Sequence, residues 1–249
     1  MRTIRLPLSP LPEENQVVAL PPEAVRYLST VLRLRAGARF VAFDRRTGME
    51  ADGELLEGGA SFGPARPGVV ADAPALLLQG WAKGDKNESV LQDATELGAS
   101  HVLFFAAARS VAKVEEGKKR TAKEERLMAV AEGAARQSGR ADVPVVTTPV
   151  PLTEVLAEAA AVAERRFVLV PTAERSLGTE WVHHAHESVA FLVGPEGGLA
   201  PEEIALAETF GFVPVSLGAY VLRCETVAAA LLGALRVLRT DPRAPAKLR

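Results

Sequence analysis

From residue 75 onward, apolar segments of the length of buried strands alternate with Ala-rich segments of the length of helices. Parallel strands require a long crossover connection, which is usually a helix. The alternation therefore predicts an α/β fold with a mostly parallel sheet flanked by helices. The predicted strands are residues 75–81, 101–106, 166–170, 189–193 and 213–216. The predicted helices are residues 87–97, 122–133, 153–164, 201–210 and 226–239. The last of these has an apolar face formed by Val227, Leu231, Ala234, Leu235 and Leu238.

The first 72 residues have a different texture. Short β-rich segments are separated by Pro and Gly, and one segment with helical spacing, residues 22–32, lies among them. This pattern predicts a small β-barrel domain over residues 1–72, followed by an α/β domain over residues 73–249. The predicted strands of the barrel are residues 3–6, 16–20, 39–43, 50–56 and 68–71.

The charge balance limits the surfaces on which nucleic acid can lie. The formal net charge is −2, which argues against a protein coated with nucleic acid, because phosphate binding needs positive potential. Two stretches are locally basic: residues 113–140 carry eight Lys or Arg against five Glu, and the last fourteen residues carry five against Asp241 alone. Each stretch also fits a solvated surface.

Several classes of protein are disfavoured. No apolar run approaches the roughly 20 residues of a membrane-spanning helix, and a cytoplasmic location is expected. The single cysteine, Cys224, excludes an internal disulfide. Dinucleotide, P-loop, CxxC and HExxH motifs are missing, and His183, His184 and His186 lack ligand partners at a helical spacing. No metal site is expected.

A glycine-rich turn lies between a predicted strand and a predicted helix. Gly194, Pro195, Glu196, Gly197 and Gly198 follow the strand directly. Glycines allow main-chain groups to approach a ligand, and ligands of α/β sheets bind at the carboxyl ends of strands. The helix that follows has an acidic first turn, which favours a neutral or cationic ligand over a phosphate. A tight turn without a ligand is the alternative.

Two further segments carry charged groups. Residues 217–226 follow another strand and contain Arg223 and Glu225, whose alternative role is a surface ion pair before a helix. Residues 135–140 contain Arg136, Gln137 and Arg140, which suit contacts with phosphates or base edges. Here the alternative is a helix end capped by a glycine.

Together these segments resemble the RsmE family of 16S rRNA uracil-N3 methyltransferases, members of the SPOUT superfamily. The resemblance rests on GPEGGLAPEE at 194–203, LGAYVLRCET at 217–226, ARQSGR at 135–140, KGDKNESVLQDATELG at 83–98 and YLSTVLRLRAGARF at 27–40. It implies a PUA-like RNA-binding barrel at the N-terminus and a trefoil knot in the α/β domain. It also implies a homodimer in which the partner subunit completes each active site.

The same resemblance assigns roles to individual residues. It implies that S-adenosylmethionine is the cofactor and that 16S rRNA, in the 30S subunit, is the substrate. The implied catalytic residues are Arg223, Glu225 and Arg136. The implied cofactor-binding residues are Val170, Pro171, Gly194, Pro195, Glu196, Gly197, Leu217, Gly218 and Leu222. The implied RNA-binding residues are Arg136, Gln137, Arg140 and Arg33.

Three positions depart from the family pattern: Cys224 stands where Thr is common, Ala200 where Ser is common, and Tyr27 where His is common. The implied reaction is methylation of N3 of one uridine. Two alternatives stay open, a SPOUT methyltransferase that acts on tRNA and a noncatalytic RNA-binding or ribosome assembly factor. A nucleotide-dependent oxidoreductase is disfavoured by the missing glycine fingerprint.

Overall fold

A computed structural model of the protein describes residues 3–71, 73–110 and 117–239. The chain forms two compact units. The first contains Met1–Val70 and Glu132–Val143, and the second contains Ala71–Ala131 and Pro144–Arg249. Residues 113–116 and 240–249, parts of the two basic stretches, lie outside the described residues.

The first unit is built on a six-stranded sheet. Its strands are β1 (Arg5–Pro7), β2 (Val17–Val18), β3 (Arg39–Asp44), β4 (Met49–Leu56), β5 (Gly59–Phe62) and β6 (Arg66–Pro67). They lie in the order β1-β3-β4-β5-β2, with β6 paired to β4; β1 is parallel to β3, and the other pairs are antiparallel. A short helix, α1 (Pro22–Val25), continues as a π-helical segment (Arg26–Val31), which confirms the helix predicted here. Leu28 of that segment packs with Leu6, Phe40 and Phe62 in the core.

The prediction of a strand at residues 68–71 is wrong, and residues 132–143 give the reason. Gly68 donates its N–H to Gly48 O over 2.9 Å, and Ala141 donates its N–H to Val69 O over 2.7 Å. The main chain at 68–69 is therefore bonded to a turn and to the 132–143 segment instead of a strand ladder. In the same segment, Ala141 packs with Phe43, which ties these residues to the first unit.

The second unit is an α/β layer. Its strands are β7 (Ala75–Gly80), β8 (His101–Phe105), β9 (Val145–Val146), β10 (Arg165–Leu169), β11 (Val189–Val193) and β12 (Val213–Val215). They form one sheet in the order β12-β10-β11-β7-β8-β9, and every pair is parallel. The helices are α2 (Lys86–Glu96), α4 (Leu152–Val162), α5 (Leu177–Trp181), α6 (Pro201–Thr209) and α7 (Cys224–Arg239), while α3 (Gly117–Ser138) begins in this unit and ends in the first. The predicted parallel α/β fold is confirmed: strands alternate with helices along the chain, and the central strands β7 and β11 are buried throughout.

The last helix differs from its predicted apolar face. Leu231 and Leu235 are buried as predicted, but the other buried positions are Cys224, Ala228 and Leu232. Ala234 and Leu238 are exposed. The helix is thus apolar over more than one face, and the predicted face only partly matches the face that is buried. Its last residue, Arg239, donates to the carbonyls of Ala73, Ala185 and Glu187 over 2.6, 2.7 and 2.7 Å.

Within the described part of the chain, no helix combines the length and the apolar character that crossing a membrane requires.

Candidate functional site

A cavity of about 610 Å³ opens at the carboxyl ends of β10, β11 and β12. Three neighbouring strands end here, so the loops after them converge, as expected for a ligand site of a parallel sheet. The lining residues are mostly apolar or present main-chain groups. They are Arg109, Leu169, Val170, Pro171, Thr172, Val193, Gly194, Pro195, Glu196, Gly198, Leu199, Pro201, Ile204, Leu217, Gly218, Tyr220, Val221, Leu222, Arg223, Cys224 and Val227.

The structure brings most of the predicted cofactor residues to this cavity. Those that line it are Val170, Pro171, Gly194, Pro195, Glu196, Leu217, Gly218 and Leu222, together with Arg223. Gly197 lies beside Arg109 instead, where an added Cβ would stand 3.0 Å from the Cβ and the carbonyl oxygen of that arginine. Glu225 follows the lining residues in the first turn of α7. These placements leave the individual cofactor contacts as predictions.

Close packing of the main chain explains the glycines of the loop. A Cβ at Gly194 would lie 3.0 Å from Gly198 C and Leu199 N, and Gly198 has a φ of +69°. Beneath the loop, a Cβ at Gly80 would lie 2.5 Å from Pro195 Cδ. Gln79, fully buried, donates from Nε2 to Gly80 O over 2.9 Å and to Gly194 O over 3.4 Å. The loop therefore fits its place only with small residues at these positions.

The start of α6 fixes another wall of the cavity. Ala200 occupies the N-cap position without a side-chain acceptor, and Glu203 compensates in part, because its Oε2 accepts the Ala200 N–H over 2.8 Å. The other oxygen of Glu203, Oε1, accepts the N–H of Ala108 over 2.8 Å. This bond places Arg109 at the cavity, where its Nη1 donates to Gly197 O over 3.3 Å. Sequence reasoning missed Arg109, since no motif connects it with the later loops.

A lysine and two glutamates lie at the edge of the cavity. Lys86 Nζ lies 2.9 Å from Glu196 Oε1 and 3.7 Å from Glu225 Oε1. The hydrogen bond to Glu196 raises the pKa of Lys86. Burial acts to raise the pKa of Glu196, but hydrogen bonds from Lys86 and from main-chain N–H groups outweigh it, so that this pKa is lowered. The pKa of Glu225 is also lowered, chiefly by its own main-chain N–H. Sequence reasoning missed Lys86 as a site residue, although residues 83–98, which contain it, are part of the family resemblance.

The lone cysteine has the properties of a packing residue. Cys224 is buried, and its Sγ–H donates to Glu225 Oε2 over 3.2 Å. Burial, followed by the hydrogen bond to Glu225, raises the pKa of this thiol to about 11. At neutral pH the group is therefore a thiol and a weak nucleophile.

The predicted RNA-binding residues belong to the first unit. Arg136 stacks over the ring of Tyr27, with 4.6 Å between the guanidinium carbon and the ring centroid. Gln137 and Arg33 are exposed, and Arg33 has a φ of +55°. Arg140 is 5% exposed and forms two hydrogen bonds with Asp142, of 2.9 and 2.7 Å. An RNA contact of Arg140 stays a prediction, and it would have to compete with this ion pair.

One histidine of the cluster, His184, contacts two charged side chains. His184 Nδ1 lies 2.7 Å from Glu187 Oε1 and 3.0 Å from Arg165 Nη2. Among residues 3–71, 73–110 and 117–239, no group of three or more His, Cys, Asp or Glu side chains is arranged to hold a metal ion.

Comparison with known proteins links this geometry to RNA methylation. The family model for an RNA methyltransferase domain matches residues 71–236. A Mycobacterium bovis protein called ribosomal RNA small subunit methyltransferase E is 34% identical over 92% of this chain and 89% of its own length. The Bacillus subtilis protein of that name is 29% identical over 90% of this chain and 91% of its own length.

Solved structures agree with the sequence comparison. A Legionella pneumophila methyltransferase in complex with bound SAM has a TM-score of 0.85 at 28% identity, covering 95% of this chain and 98% of that one. A ribosomal RNA small subunit methyltransferase E from Neisseria gonorrhoeae, bound to S-adenosyl methionine, has a TM-score of 0.83 at 26% identity with the same coverage.

Proposed function

This chain belongs to the ribosomal RNA small subunit methyltransferase E family, and we propose that it methylates N3 of one uridine in 16S rRNA. It is an S-adenosylmethionine-dependent rRNA methyltransferase. The position of the methyl group on the base, the identity of the base and the 30S subunit as substrate are the proposed parts.

The cavity at the carboxyl ends of β10, β11 and β12 is the observation that carries the proposal. Its volume of about 610 Å³ lies within the usual range for ligand pockets, roughly 300–1,000 Å³. Its loops present main-chain groups and apolar side chains, which suit an adenine ring and a ribose. An added Cβ at Gly194 would crowd the loop that forms one wall. Glu196 places a carboxylate at the cavity, which suits a cationic ligand better than a phosphate.

The residues of the chain then have distinct tasks. When bound, S-adenosylmethionine supplies an electrophilic methyl group. The uracil ring becomes anionic as N3 loses its proton, and a cation near O2 or O4 stabilises that charge. Arg223 lines the cavity and is exposed, so we assign this task to it, or to Arg136 of the partner subunit. Glu225 serves as the base or orients the arginine; its lowered pKa keeps it ionised at neutral pH and favours the orienting role.

The first unit is assigned to RNA. We propose that residues 1–72 form a PUA-like RNA-binding barrel and that residues 73–249 form the methyltransferase domain. Arg33, Arg136 and Gln137 are exposed or half-buried, which supports contact with RNA phosphates, and Arg140 belongs to the same proposed set. Three basic residues at the start of α3 in the second unit, Lys118, Lys119 and Arg120, are exposed and support RNA contact there as well.

We further propose a trefoil knot in the C-terminal part and a homodimer. The proposal of the knot rests on the resemblance of residues 194–203 and 217–226 to the SPOUT superfamily. Apolar side chains support the dimer: Tyr220 and Val221 in the loop before α7, and Val237 in its last turns, are exposed. We also propose a cytoplasmic location, which fits a ribosomal substrate.

Methyl transfer to defined RNAs tests the function. Labelled S-adenosylmethionine is incubated with 30S subunits, naked 16S rRNA and tRNA, and the products are digested to nucleosides. We expect N3-methyluridine in 16S rRNA. Label in tRNA, or no label in any RNA, contradicts the proposal. Arg223→Ala is expected to reduce transfer while the cofactor still binds, which separates catalysis from binding.

A further inference from the structure

Lys86 connects two segments that are distant in sequence. It is the first residue of α2, and its Nζ reaches Glu196 in the loop after β11 and Glu225 in the first turn of α7. The main-chain N–H of Lys83 donates to the same Glu196 oxygen over 3.2 Å. Lys83 before α2 and Lys86 in its first turn therefore both donate to the Glu196 carboxylate, and Lys86 also faces Glu225.

These two glutamates belong to walls of the cavity. Glu196 lines it, and Glu225 directly follows Arg223 and Cys224, which line it as well. Among the described residues, the lining comes from the ends of β10 and β11, the loops after the strands, Arg109, α6 and α7. Lys86 is not part of this lining and contacts the walls from outside. A change at Lys86 thus leaves the surface of the cavity chemically unaltered and acts through the position of its walls.

The charges explain why a cation is required at this point. The pKa values of Glu196 and Glu225 are both lowered, so both side chains are carboxylates at neutral pH. Without Lys86, two negative charges would remain at the place where the loop meets α7. Like charges at short range repel, and the cheapest relief is separation of the two segments. Arg223 also lowers the pKa of Glu225, but it lies on the same segment and cannot join that segment to the loop.

We propose that Lys86 is a positioning residue that holds the Glu196 loop against the first turn of α7 and thereby sets the shape of the cofactor cavity. This inference deepens the proposed function and rests on it for the identity of the ligand. Arg223 is carried by the segment that Lys86 holds, so its position at the reacting base depends on the same contact.

An ordinary surface ion pair is the competing explanation. The side chains of Lys86 and Glu196 are 37% and 34% exposed, and pairs of that exposure contribute little by themselves. Such a pair would change neither cofactor affinity nor the mobility of α7. Both properties can be measured.

The first measurement needs no ligand. Hydrogen–deuterium exchange of the amide groups in residues 224–228 is compared in the wild-type protein, Lys86→Met, Lys86→Arg and Lys83→Met. The side chain of Lys83 is exposed, and Lys83 donates to Glu196 through its main-chain N–H, so its substitution removes one positive charge without removing the bridge. We expect faster exchange in Lys86→Met alone. Unchanged exchange overturns the inference, whatever the protein binds.

The second measurement is the dissociation constant for S-adenosylmethionine. For Lys86→Met we expect affinity to fall about three- to fivefold, the range of a partly exposed pair, and less in high salt. Lys86→Arg should restore affinity to within about twofold, because arginine keeps the charge and the reach. Equal affinity of Lys86→Met and wild type overturns the inference, whereas a wild type that binds no cofactor contradicts the proposed function instead.

A double variant guards against general loss of structure. Adding Glu196→Gln to Lys86→Met removes one of the two repelling carboxylates, so exchange at residues 224–228 should slow again. If Lys86→Met acts only by unfolding the protein, the second substitution gives no recovery, and the inference fails.

Discussion

At the residue scale, the contact of Arg136 with Tyr27 bears on the proposed binding of RNA. An arginine held over an aromatic ring loses less side-chain freedom when it binds a phosphate or a base. The stacking contact of Tyr27 with Arg136 requires only the aromatic ring of Tyr27. This contact involves the face of the ring.

Substitutions at these two positions test that contact. Arg136→Ala should weaken binding to 16S rRNA or 30S subunits about tenfold, and if it contacts a phosphate, lower the salt slope by about one. Affinity for S-adenosylmethionine should stay the same. Tyr27→Phe keeps the ring and should bind RNA as the wild type does, whereas Tyr27→Ala should lose part of the affinity. Undiminished RNA binding by Arg136→Ala would remove Arg136 from the RNA surface.

The protonation state of Cys224 gives a second prediction at this scale. Since its pKa is raised to about 11, the reactive thiolate is scarce at pH 8 and becomes abundant only as the pH rises through that value. Alkylation by iodoacetamide at pH 8 should therefore be much slower than for free cysteine. Glu225→Gln removes a negative neighbour and should speed the reaction, although burial keeps it slow. Rapid labelling of the wild type at pH 8 would contradict this assignment.

At the scale of elements, the N-terminus of α6 lacks one interaction. Glu203 satisfies the N–H of Ala200, but alanine offers no acceptor in return. Ala200→Ser supplies that acceptor and should stabilise the protein by roughly 1 kcal/mol, seen as a rise of about 2–4 °C in Tm. Differential scanning calorimetry measures it. A lower Tm would show that the buried site does not accept the hydroxyl.

At the contact of β7 with the glycine-rich loop, by contrast, we expect a substitution to destabilise the protein. Gly80→Ala would place a Cβ 2.7 Å from Pro195 N, so the loop must move. We expect a loss of about 1–3 kcal/mol in the free energy of unfolding, as for other overpacked sites. Cofactor affinity should weaken as well. Gly178→Ala is the matched control, because its nearest neighbour, Ser176 Oγ, would be 3.6 Å away. Equal denaturation midpoints for the two variants would refute the packing argument.

At the scale of the whole molecule, the first unit is not a simple N-terminal appendage. Residues 132–143 belong to it, although they follow α2 and β8 of the second unit in sequence. A fragment of residues 73–249 would leave Ala135 and Ala141 without Phe43, and would expose the ion pair of Arg140. We expect this fragment to be less stable than the full chain and to aggregate, as judged by thermal unfolding and sedimentation. A monodisperse fragment with the Tm of the full chain would show that the second unit folds without the first.

The sequence by itself determined the elements that depend on local pattern. The central strands β7 and β11 are buried along their whole length, so nearly all of their residues are apolar, and that property is visible without a fold. The glycine-rich turn could also be predicted from the sequence, because crowding of the main chain restricts these positions to small residues whether or not a ligand is bound. The position of this turn after a strand was enough to predict a site at the edge of the sheet.

Only the tertiary structure decided the rest. β9 has two residues, too few for any periodicity, and it exists because His101 and Val102 lie beside it. Residues 68–71 have the composition of a strand, but the carbonyl of Val69 accepts a hydrogen bond from Ala141 in the 132–143 segment instead of from a neighbouring strand. Lys86 and Glu196 are 110 positions apart, and nothing in either local sequence indicates the other. Such contacts join residues that are distant in sequence. Packing of the core decides which elements become neighbours, and therefore which side chains meet.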